Sequence, residues 1–308
     1  LFYLPGAIPV GGPDEGHPDI DTHAQFSRFW FAADGDVQGH KTRAYLEFDL
    51  FGGGSNILGN QASTNTHGLT VRQAYVTWDK WLAGQTWSNF QDVAALPDAV
   101  DFVGPTEGTV FVRQAQLRYT NGPFSVSVEN PQTVVGGYRS TARTVSDDGS
   151  VPDVTARWTK KGDWGHVSVA GLARQLRHET TTTSATGAGY GLSVSGKVNV
   201  SKKDDIRYMV TGGQGIGRYV GFALGTDGTL DALANDIEET GVVAGFVSWR
   251  HVFDPKLRGN LMFSRAQFDN DTAWTGFGVT KSSQSIHANL IYSPFPKLDV
   301  GAELIWGK

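Results

Sequence analysis

Arginines recur on the polar side of segments in which apolar and polar residues alternate. A guanidinium group is a planar fork of N–H donors that matches carboxylates and phosphates, so a row of arginines would attract such anions. We assign eight arginines to this row: Arg43, Arg72, Arg113, Arg118, Arg157, Arg207, Arg250 and Arg258. The side on which Arg72 lies is the least defined of these, because its segment alternates poorly. The sides of Arg174, Arg177 and Arg265 stay unassigned.

Carboxylates are interleaved with these arginines. Those on the polar faces are Glu47, Asp49, Glu129, Asp153 and Glu303. The charges could pair across the interior of a closed sheet and stiffen its wall, or the arginines could form a ladder that favours anions in a pore. For the set as a whole we favour anion selectivity, and we count Glu47 and Asp49 among the pore-lining residues.

The long connection at 89–108 is less polar than the other long connections and poorer in Gly and Ser. Its residues 93–96 could form a helical turn. A loop with its own apolar residues can pack inside a pore and set the constriction. Asp92, Asp98 and Asp101 would then face the arginines and create a transverse field. The alternative is an external loop that packs on its neighbours.

Other kinds of chemistry find little support. The chain has no cysteine, which excludes disulfides, cysteine nucleophiles and thiolate metal sites. The histidines are scattered, and we interpret the acidic and histidine residues at 14–23 as a polar surface loop. The glycine-rich run 212–217 lacks the Lys-Ser/Thr pair and the helix of a phosphate-binding loop. Ser285 and His287 share one face without a third partner. We therefore expect no cofactor, no metal site and no enzymatic activity.

The elements that must position these side chains are β-strands. Ala44, Leu46, Phe48 and Leu50 alternate with charged or polar residues, which is the period of a strand with one apolar face. Fourteen strands are predicted, at about 23–33, 40–51, 68–79, 81–88, 109–120, 123–130, 152–160, 165–177, 189–200, 206–213, 243–253, 256–268, 284–293 and 298–307.

Short and long connections alternate between these strands. The short ones are turns such as 34–36 and 79–80. The long ones cover about 52–67, 89–108, 131–151, 178–188, 214–242 and 269–283. A transmembrane barrel has this asymmetry, with short periplasmic turns and long outer loops. Backbone groups in hydrocarbon must be satisfied within the protein, so the sheet must close and its apolar face must meet lipid.

The predicted fold class is therefore all-β, a transmembrane antiparallel up-and-down β-barrel. Hydrophobic residues make up 39% of the 308 residues, and the net charge of -5 argues against a nucleic-acid partner. No apolar run is long enough for a membrane-spanning helix, and no signal peptide is visible. We expect a single domain over 1–308, with 1–22 as an extracellular loop. One further strand at each end would give about 16 strands in the intact protein.

The runs HAQFSRFWF, RAYLEFDLFG and RQAYVTWDKWLAGQTWSNFQDVAALPDAVDF resemble the DcaP-like outer-membrane porins of Gram-negative bacteria. The block from Trp78 to Phe102 is the most specific part, and LDVGAELIWGK resembles the penultimate strand of that family. The resemblance implies a sixteen-stranded homotrimer in the bacterial outer membrane that takes up dicarboxylates and related organic anions by diffusion. It also implies that 89–108 is the loop that folds inward. Both terminal strands, the terminal aromatic residue and the periplasmic coiled coil of some members are not seen in this sequence.

The predicted function is passive diffusion of small organic anions past the arginine ladder. The predicted partners are two further copies of the chain, outer-membrane lipid and lipopolysaccharide, and the small anions themselves. The alternatives are a general, weakly selective porin, an outer-membrane barrel enzyme that uses Ser285 and His287, and a soluble β-sandwich or adhesin.

Overall fold

The computed structural model describes residues 3–5, 24–52 and 67–308, which contain eighteen strands, one short α-helix and three 3-10 turns at Val93–Ala95, Thr106–Gly108 and Gly217–Tyr219. The strands are β1 (Phe29–Val37), β2 (His40–Gly52), β3 (Gly68–Trp78), β4 (Trp81–Trp87), β5 (Arg113–Asn121), β6 (Phe124–Glu129), β7 (Thr133–Gly136), β8 (Arg143–Ser146), β9 (Asp153–Gly162), β10 (Gly165–Glu179), β11 (Ser184–Asn199), β12 (Asp204–Gln214), β13 (Gly228–Leu230), β14 (Ile237–Glu239), β15 (Gly241–Asp254), β16 (Leu257–Asp269), β17 (Ser282–Phe295) and β18 (Leu298–Gly307). The helix is α1 (Thr272–Thr275). No helix of the described residues is long and apolar enough to span a membrane.

Fourteen strands form one antiparallel sheet in which chain neighbours are hydrogen-bonded neighbours. The order is β1-β2-β3-β4-β5-β6-β9-β10-β11-β12-β15-β16-β17-β18. This up-and-down order confirms the predicted class and the predicted fourteen strands. Of the regions predicted as loops, 1–22 is described only at 3–5, and 53–66 lies outside the described residues.

The first hairpin differs from the prediction. The expected turn at 34–36 lies inside β1, and the chain reverses at Gln38 and Gly39 instead, with Val37 paired to His40. Both turn residues have positive φ, 55° and 86°. That geometry is a two-residue primed turn, whose twist matches that of the flanking strands. Asp36 stabilises the turn from its flank, because its carboxylate accepts a hydrogen bond of 2.7 Å from the Gly39 N–H.

The long connections contain more regular structure than the sequence indicated. The predicted loop 178–188 is a four-residue turn at 180–183, because β10 and β11 extend far beyond their predicted ends. The connections at 131–151 and 214–242 contribute β7, β8, β13 and β14 to a second sheet of order β14-β13-β7-β8. Short strands from two distant loops pair with each other there, which local alternation cannot reveal.

The outer face of the large sheet carries exposed apolar residues such as Leu117, Leu261 and Leu304. This is the apolar surface that lipid requires. The opposite face is polar along much of the wall, as predicted. Along β10, β15 and β16, however, it is apolar as well, with Leu172 and Phe246 buried there. These inner residues pack against two loops that fill this side of the sheet, so they do not meet water.

Gly84 in β4 is predicted to be indispensable for the β3–β4 pair. Its φ is +128°, and a Cβ atom there would lie 2.3 Å from the carbonyl oxygen of Ala74. Gly84→Ala should therefore lower the free energy of unfolding by about 1–3 kcal/mol. Urea unfolding in lipid vesicles measures the change. Gly171→Ala is the matched control, because a Cβ atom at Gly171 in β10 meets nothing within 4 Å. Equal stability of the two variants would contradict the prediction.

Candidate functional site

Segment 89–108 lies across the concave face of the large sheet and contacts its wall along its whole length. It begins with a short 3-10 turn at Val93–Ala95, where a helical turn is predicted. The Asp92 side chain caps this turn by accepting a hydrogen bond of 3.1 Å from the Ala94 N–H. At the other end of the segment, the Gly108 N–H donates to the Ser264 hydroxyl in β16 at 2.8 Å.

Two arginines bind main-chain carbonyls at the start of this segment or just before it. Arg157 in β9 donates to the carbonyl oxygen of Asn89 at 2.7 Å and also to that of Gln91. Arg118 in β5 donates to the carbonyl oxygen of Trp87 at 2.5 Å. Within the described part of the chain, no carboxylate lies within 4.0 Å of either guanidinium. The carbonyls satisfy the N–H groups, so neither guanidinium forms an ion pair with the described residues, and Asp92 is the carboxylate that lines a cavity together with them.

Asp92 contacts the wall beside these two arginines. Its carboxylate lies 2.8 Å from Nε2 of His166 in β10 and accepts a hydrogen bond of 2.9 Å from the Ser195 hydroxyl in β11. The carboxylate is therefore used to fix the segment to the wall and is largely buried.

A cavity of about 620 Å³ lies between the start of the segment and the wall, toward the end of the sheet that carries the short turns. Arg118, Arg157, Lys161 and His166 line it, with Asp92 as the carboxylate among the lining residues. The cavity therefore has a basic lining, which suits an anion.

The other predicted arginines of the later strands are paired with carboxylates. Asp98 of the segment lies 3.7 Å from Arg207, 3.7 Å from Arg250 and 3.2 Å from Arg258. Asp205 in β12 lies 3.0 Å from Arg207 and 2.6 Å from Arg250. Arg207 also donates to the carbonyl oxygen of Leu96, which ties the segment to β12.

The arginines of the early strands have other surroundings. Arg72 is buried between Glu47 at 2.8 Å and Asp49 at 2.6 Å. Arg43 lies 3.3 Å from Asp34, and both are partly exposed.

Arg113 contacts an aromatic ring, and Asp101 bonds within the segment. The guanidinium of Arg113 stacks over the Trp87 ring at 4.9 Å, on the side of β5 opposite to Gln114. Asp101 accepts hydrogen bonds of 3.1 Å from the N–H groups of Val103 and Gly104, so it stabilises the segment itself.

A buried ionic network beside the segment was not predicted. Arg218 lies in the connection between β12 and β13, 2.7 Å from Asp153 of the wall. Arg174 lies 3.4 Å from Asp153 and 3.0 Å from Asp227. The Tyr219 hydroxyl also donates to Asp153 at 2.7 Å, and burial raises the pKa of Tyr219, so the hydroxyl keeps the proton it donates. The network fixes a second inward loop, the connection between β12 and β13.

A sequence signal for this second loop existed. Ile216 and Val220 are apolar residues inside a long connection, the same feature that singled out 89–108. Both are fully buried against Phe90 and Val110 of the first loop region.

Ser285 and His287 do have a third partner. The Ser285 Oγ lies 3.1 Å from His287 Nε2, and His287 Nδ1 lies 2.8 Å from Glu303 in β18. The Ser285 hydroxyl, however, is fully buried and donates to Glu107 of the segment at 2.7 Å. Glu303 faces Ser285 and His287 from the neighbouring strand, so the spacing within β17 could not reveal it.

Comparisons with known proteins agree with this architecture. A model of the DcaP outer membrane protein family matches residues 32–308. The fold is similar to the outer membrane channel DcaP of Acinetobacter baumannii, with a TM-score of 0.80, 24% identity, and coverage of 95% of this chain and 82% of that chain. A sequence comparison with characterised proteins found no significant match.

More distant likenesses concern the fold alone. OmpT of Vibrio cholerae, in its trimer form, has a TM-score of 0.59 at 12% identity, covering 96% of this chain and 84% of that chain. The anion-selective porin from Comamonas acidovorans has a TM-score of 0.56 at 9% identity, covering 93% of this chain and 80% of that chain.

Arg218→Gln is predicted to destabilise the second inward loop. It leaves a buried carboxylate short of a charged partner, which costs about 3 kcal/mol or more in similar buried pairs. The unfolding free energy should fall accordingly, and chymotrypsin, which cuts after residues such as Tyr219 and Phe222, should cut within 215–240 faster than in the wild type. Arg177→Gln is the control, because Arg177 and Glu179 form a solvent-accessible pair. A loop that stays protected in Arg218→Gln would contradict the prediction.

Proposed function

Because the chain belongs to the DcaP outer membrane protein family and is therefore an outer-membrane porin, we propose that it admits small anionic solutes, dicarboxylates or related organic acids, by passive diffusion. The observation that carries this proposal is the bonding of Arg118 and Arg157. Both guanidiniums line the cavity of about 620 Å³ and donate to carbonyl oxygens instead of carboxylates.

The two guanidiniums keep their full charge because a carbonyl is a neutral acceptor. A guanidinium stays protonated at any physiological pH, so the charge is permanent. The bonds to Trp87 and Asn89 hold the side chains in place. An anion entering the cavity therefore meets a preorganised positive field and needs no rearrangement of the protein.

A solute with two carboxylates fits this arrangement. Each guanidinium can bind one carboxylate, and Lys161 adds a further positive charge to the same cavity. Weak binding at several such groups in succession allows entry and release, which passive diffusion requires.

The paired arginines contribute a different field. Arg207, Arg250 and Arg258 are shared between Asp98, Asp205 and Asp299, so most of their charge is cancelled. We propose that these ion pairs hold segment 89–108 against the wall at a constriction, because Asp98 of the segment lies directly on the arginines and leaves little transverse field across an open gap. The two interpretations of the arginine row then hold in different places, with charge pairing along the later strands and an anion path at Arg118 and Arg157.

We propose that the protein forms a homotrimer whose outer surface contacts outer-membrane lipid and lipopolysaccharide. The apolar outer face of the sheet, with Leu117 and Leu261 exposed, supports the lipid contact. The trimer form of OmpT supports the oligomer by similarity of fold.

The Ser285–His287–Glu303 contacts favour one other class, a barrel hydrolase. In a catalytic triad the histidine accepts the serine proton. Here the Ser285 hydroxyl donates its hydrogen bond to Glu107 instead of to His287, and it is fully buried. The geometry therefore supports a channel better than a hydrolase.

Ion selectivity tests the proposed function. In a planar bilayer with a KCl gradient, the reversal potential should have the sign of a chloride-permeable channel. A cation-selective or non-conducting protein would overturn the proposal, and equal permeability to both ions would favour a weakly selective porin instead.

The double variant Arg118→Gln/Arg157→Gln should shift this reversal potential toward zero, because it removes the two guanidinium charges of the cavity. Arg265→Gln is the matched control, since Arg265 lies on the face of β16 opposite to Met262 and Ser264 and is exposed. The control should keep the wild-type potential. An unchanged potential in the double variant would place the selectivity elsewhere.

A further inference from the structure

Two buried carboxylates connect segment 89–108 to β17 and β18. Glu107 belongs to the segment and is 0% exposed. Glu303 belongs to β18 and accepts a hydrogen bond of 2.6 Å from the Val100 N–H of the segment. Among the described residues, no lysine or arginine lies within 4.0 Å of either carboxylate. Within the described part of the chain, a positive charge next to these carboxylates can therefore come only from a histidine.

Glu107 acts only as an acceptor. One carboxylate oxygen accepts from the Tyr3 hydroxyl at 2.7 Å and from the Ser283 hydroxyl at 3.4 Å. The other oxygen accepts from the Ser285 hydroxyl at 2.7 Å. These three hydroxyl groups are therefore the donors, and Ser285 directs its single proton to Glu107.

The direction of the Ser285–Glu107 hydrogen bond determines which role each ring nitrogen of His287 plays. Ser285 has one proton and donates it to Glu107, so it can only accept from His287 Nε2 at 3.1 Å. On the other side, Glu303 accepts from His287 Nδ1 at 2.8 Å. The other oxygen of Glu303 accepts from the Val100 N–H and from the Asn289 amide at 3.0 Å. Both ring nitrogens of His287 therefore act as donors.

We propose that His287 carries both ring protons and in this charged form latches segment 89–108 to the wall of the channel, so that loss of one proton at high pH releases the segment. The inference rests on the proposed channel function only for its effect on conductance. The charged groups that face His287 are Glu303 from β18 and, through Ser285, Glu107 from the segment. Its ring also meets Tyr3 edge to face at 5.4 Å, and Tyr3 N–H donates to Asp101 at 2.7 Å.

The balance of charge between His287 and the two carboxylates explains why the second ring proton of His287 is needed. With His287 charged, the cluster holds one cation and two carboxylates in a buried site. Without that charge the two carboxylates are uncompensated, and one ring nitrogen faces an acceptor with its lone pair. An unpaired buried charge is strongly unfavourable, and separating the segment from the wall relieves it by admitting water.

Cysteine labelling measures release of the segment without relying on conduction. The chain has no cysteine of its own, so single cysteines are specific reporters. Val103→Cys reports on a site that is 4% exposed, and Val100→Cys reports on one that is 44% exposed in the same segment. In the ratio of the Val103→Cys labelling rate to the Val100→Cys rate, the latter accounts for the rise in thiolate at an exposed site. Because burial raises the pKa of a thiol, the same ratio in His287→Gln shows whether a rise with pH comes from release of the segment. The protein is labelled in lipid vesicles from about pH 5 to about pH 10.

The ratio should be low at acidic and neutral pH and rise at alkaline pH. In His287→Gln it should be high at every pH. Ser285→Ala, which removes a single hydroxyl, should also raise it and serves if His287→Gln does not fold. His251→Gln is the control, because His251 contacts Asp204 in β12, away from the segment. A flat ratio in the wild type, or a low ratio in His287→Gln and Ser285→Ala, would overturn the latch.

Two further measurements separate the latch from the channel. Nitrogen NMR of ¹⁵N-histidine protein should show both nitrogens of His287 protonated at neutral pH, and one unprotonated nitrogen would refute the latch. Single-channel conductance should rise over the pH range in which the labelling ratio rises. A protein that does not conduct at any pH overturns the proposed function, whereas the labelling and NMR results still decide the latch.

Discussion

The arrangement of this porin depends on arginine side chains that bind main-chain carbonyls. A loop that leaves the sheet and crosses its concave face loses the hydrogen bonds that a strand would give it, and its buried carbonyls must find donors. Arg157 supplies donors to Asn89 and Gln91, and Arg207 supplies one to Leu96. A guanidinium suits this task because it has five N–H donors and can satisfy several acceptors at once.

This mode of bonding has an electrostatic consequence. An arginine that holds a carbonyl keeps its charge, whereas one that holds a carboxylate is largely neutralised. Arg157 belongs to the first kind, and Arg72, buried between Glu47 and Asp49, belongs to the second. Whether an arginine keeps its charge or shares it with the wall thus depends on its acceptor. The alternation along a strand does not reveal that acceptor.

The concave side also has an apolar part that the strand pattern did not indicate. Phe246 and Phe268 point inward and are buried by the loops that contain Phe90 and Tyr219. Two loops that share a dry interface support each other. The buried carboxylate of Asp153, which holds both Arg218 and the Tyr219 hydroxyl, anchors that interface to the wall. The two loops therefore form a packed structure with its own core, and the cavity of about 620 Å³ lies beside it, at Arg118.

Much of the fold follows from the sequence alone, for a local reason. A strand with lipid on one side and polar groups on the other must alternate with a period of two, so the strands and their order could be predicted from neighbouring residues. The apolar content of 89–108 also predicted a loop that folds inward, and in the structure Gly108 of this segment bonds to Ser264 of β16. The first turn was misplaced because 34–36 has the composition of a turn while Gln38 and Gly39 have its geometry.

The tertiary structure decided what each charge contacts. Whether Arg157 meets a carbonyl or a carboxylate depends on how a loop 68 residues away in sequence is folded. Likewise, Ser285 and His287 acquire Glu303 from the next strand and Glu107 from a loop far earlier in the chain. Alternation places a side chain on a face, but its partner comes from another part of the chain. The sequence therefore determined the wall and its two faces, and long-range packing determined the chemistry inside it.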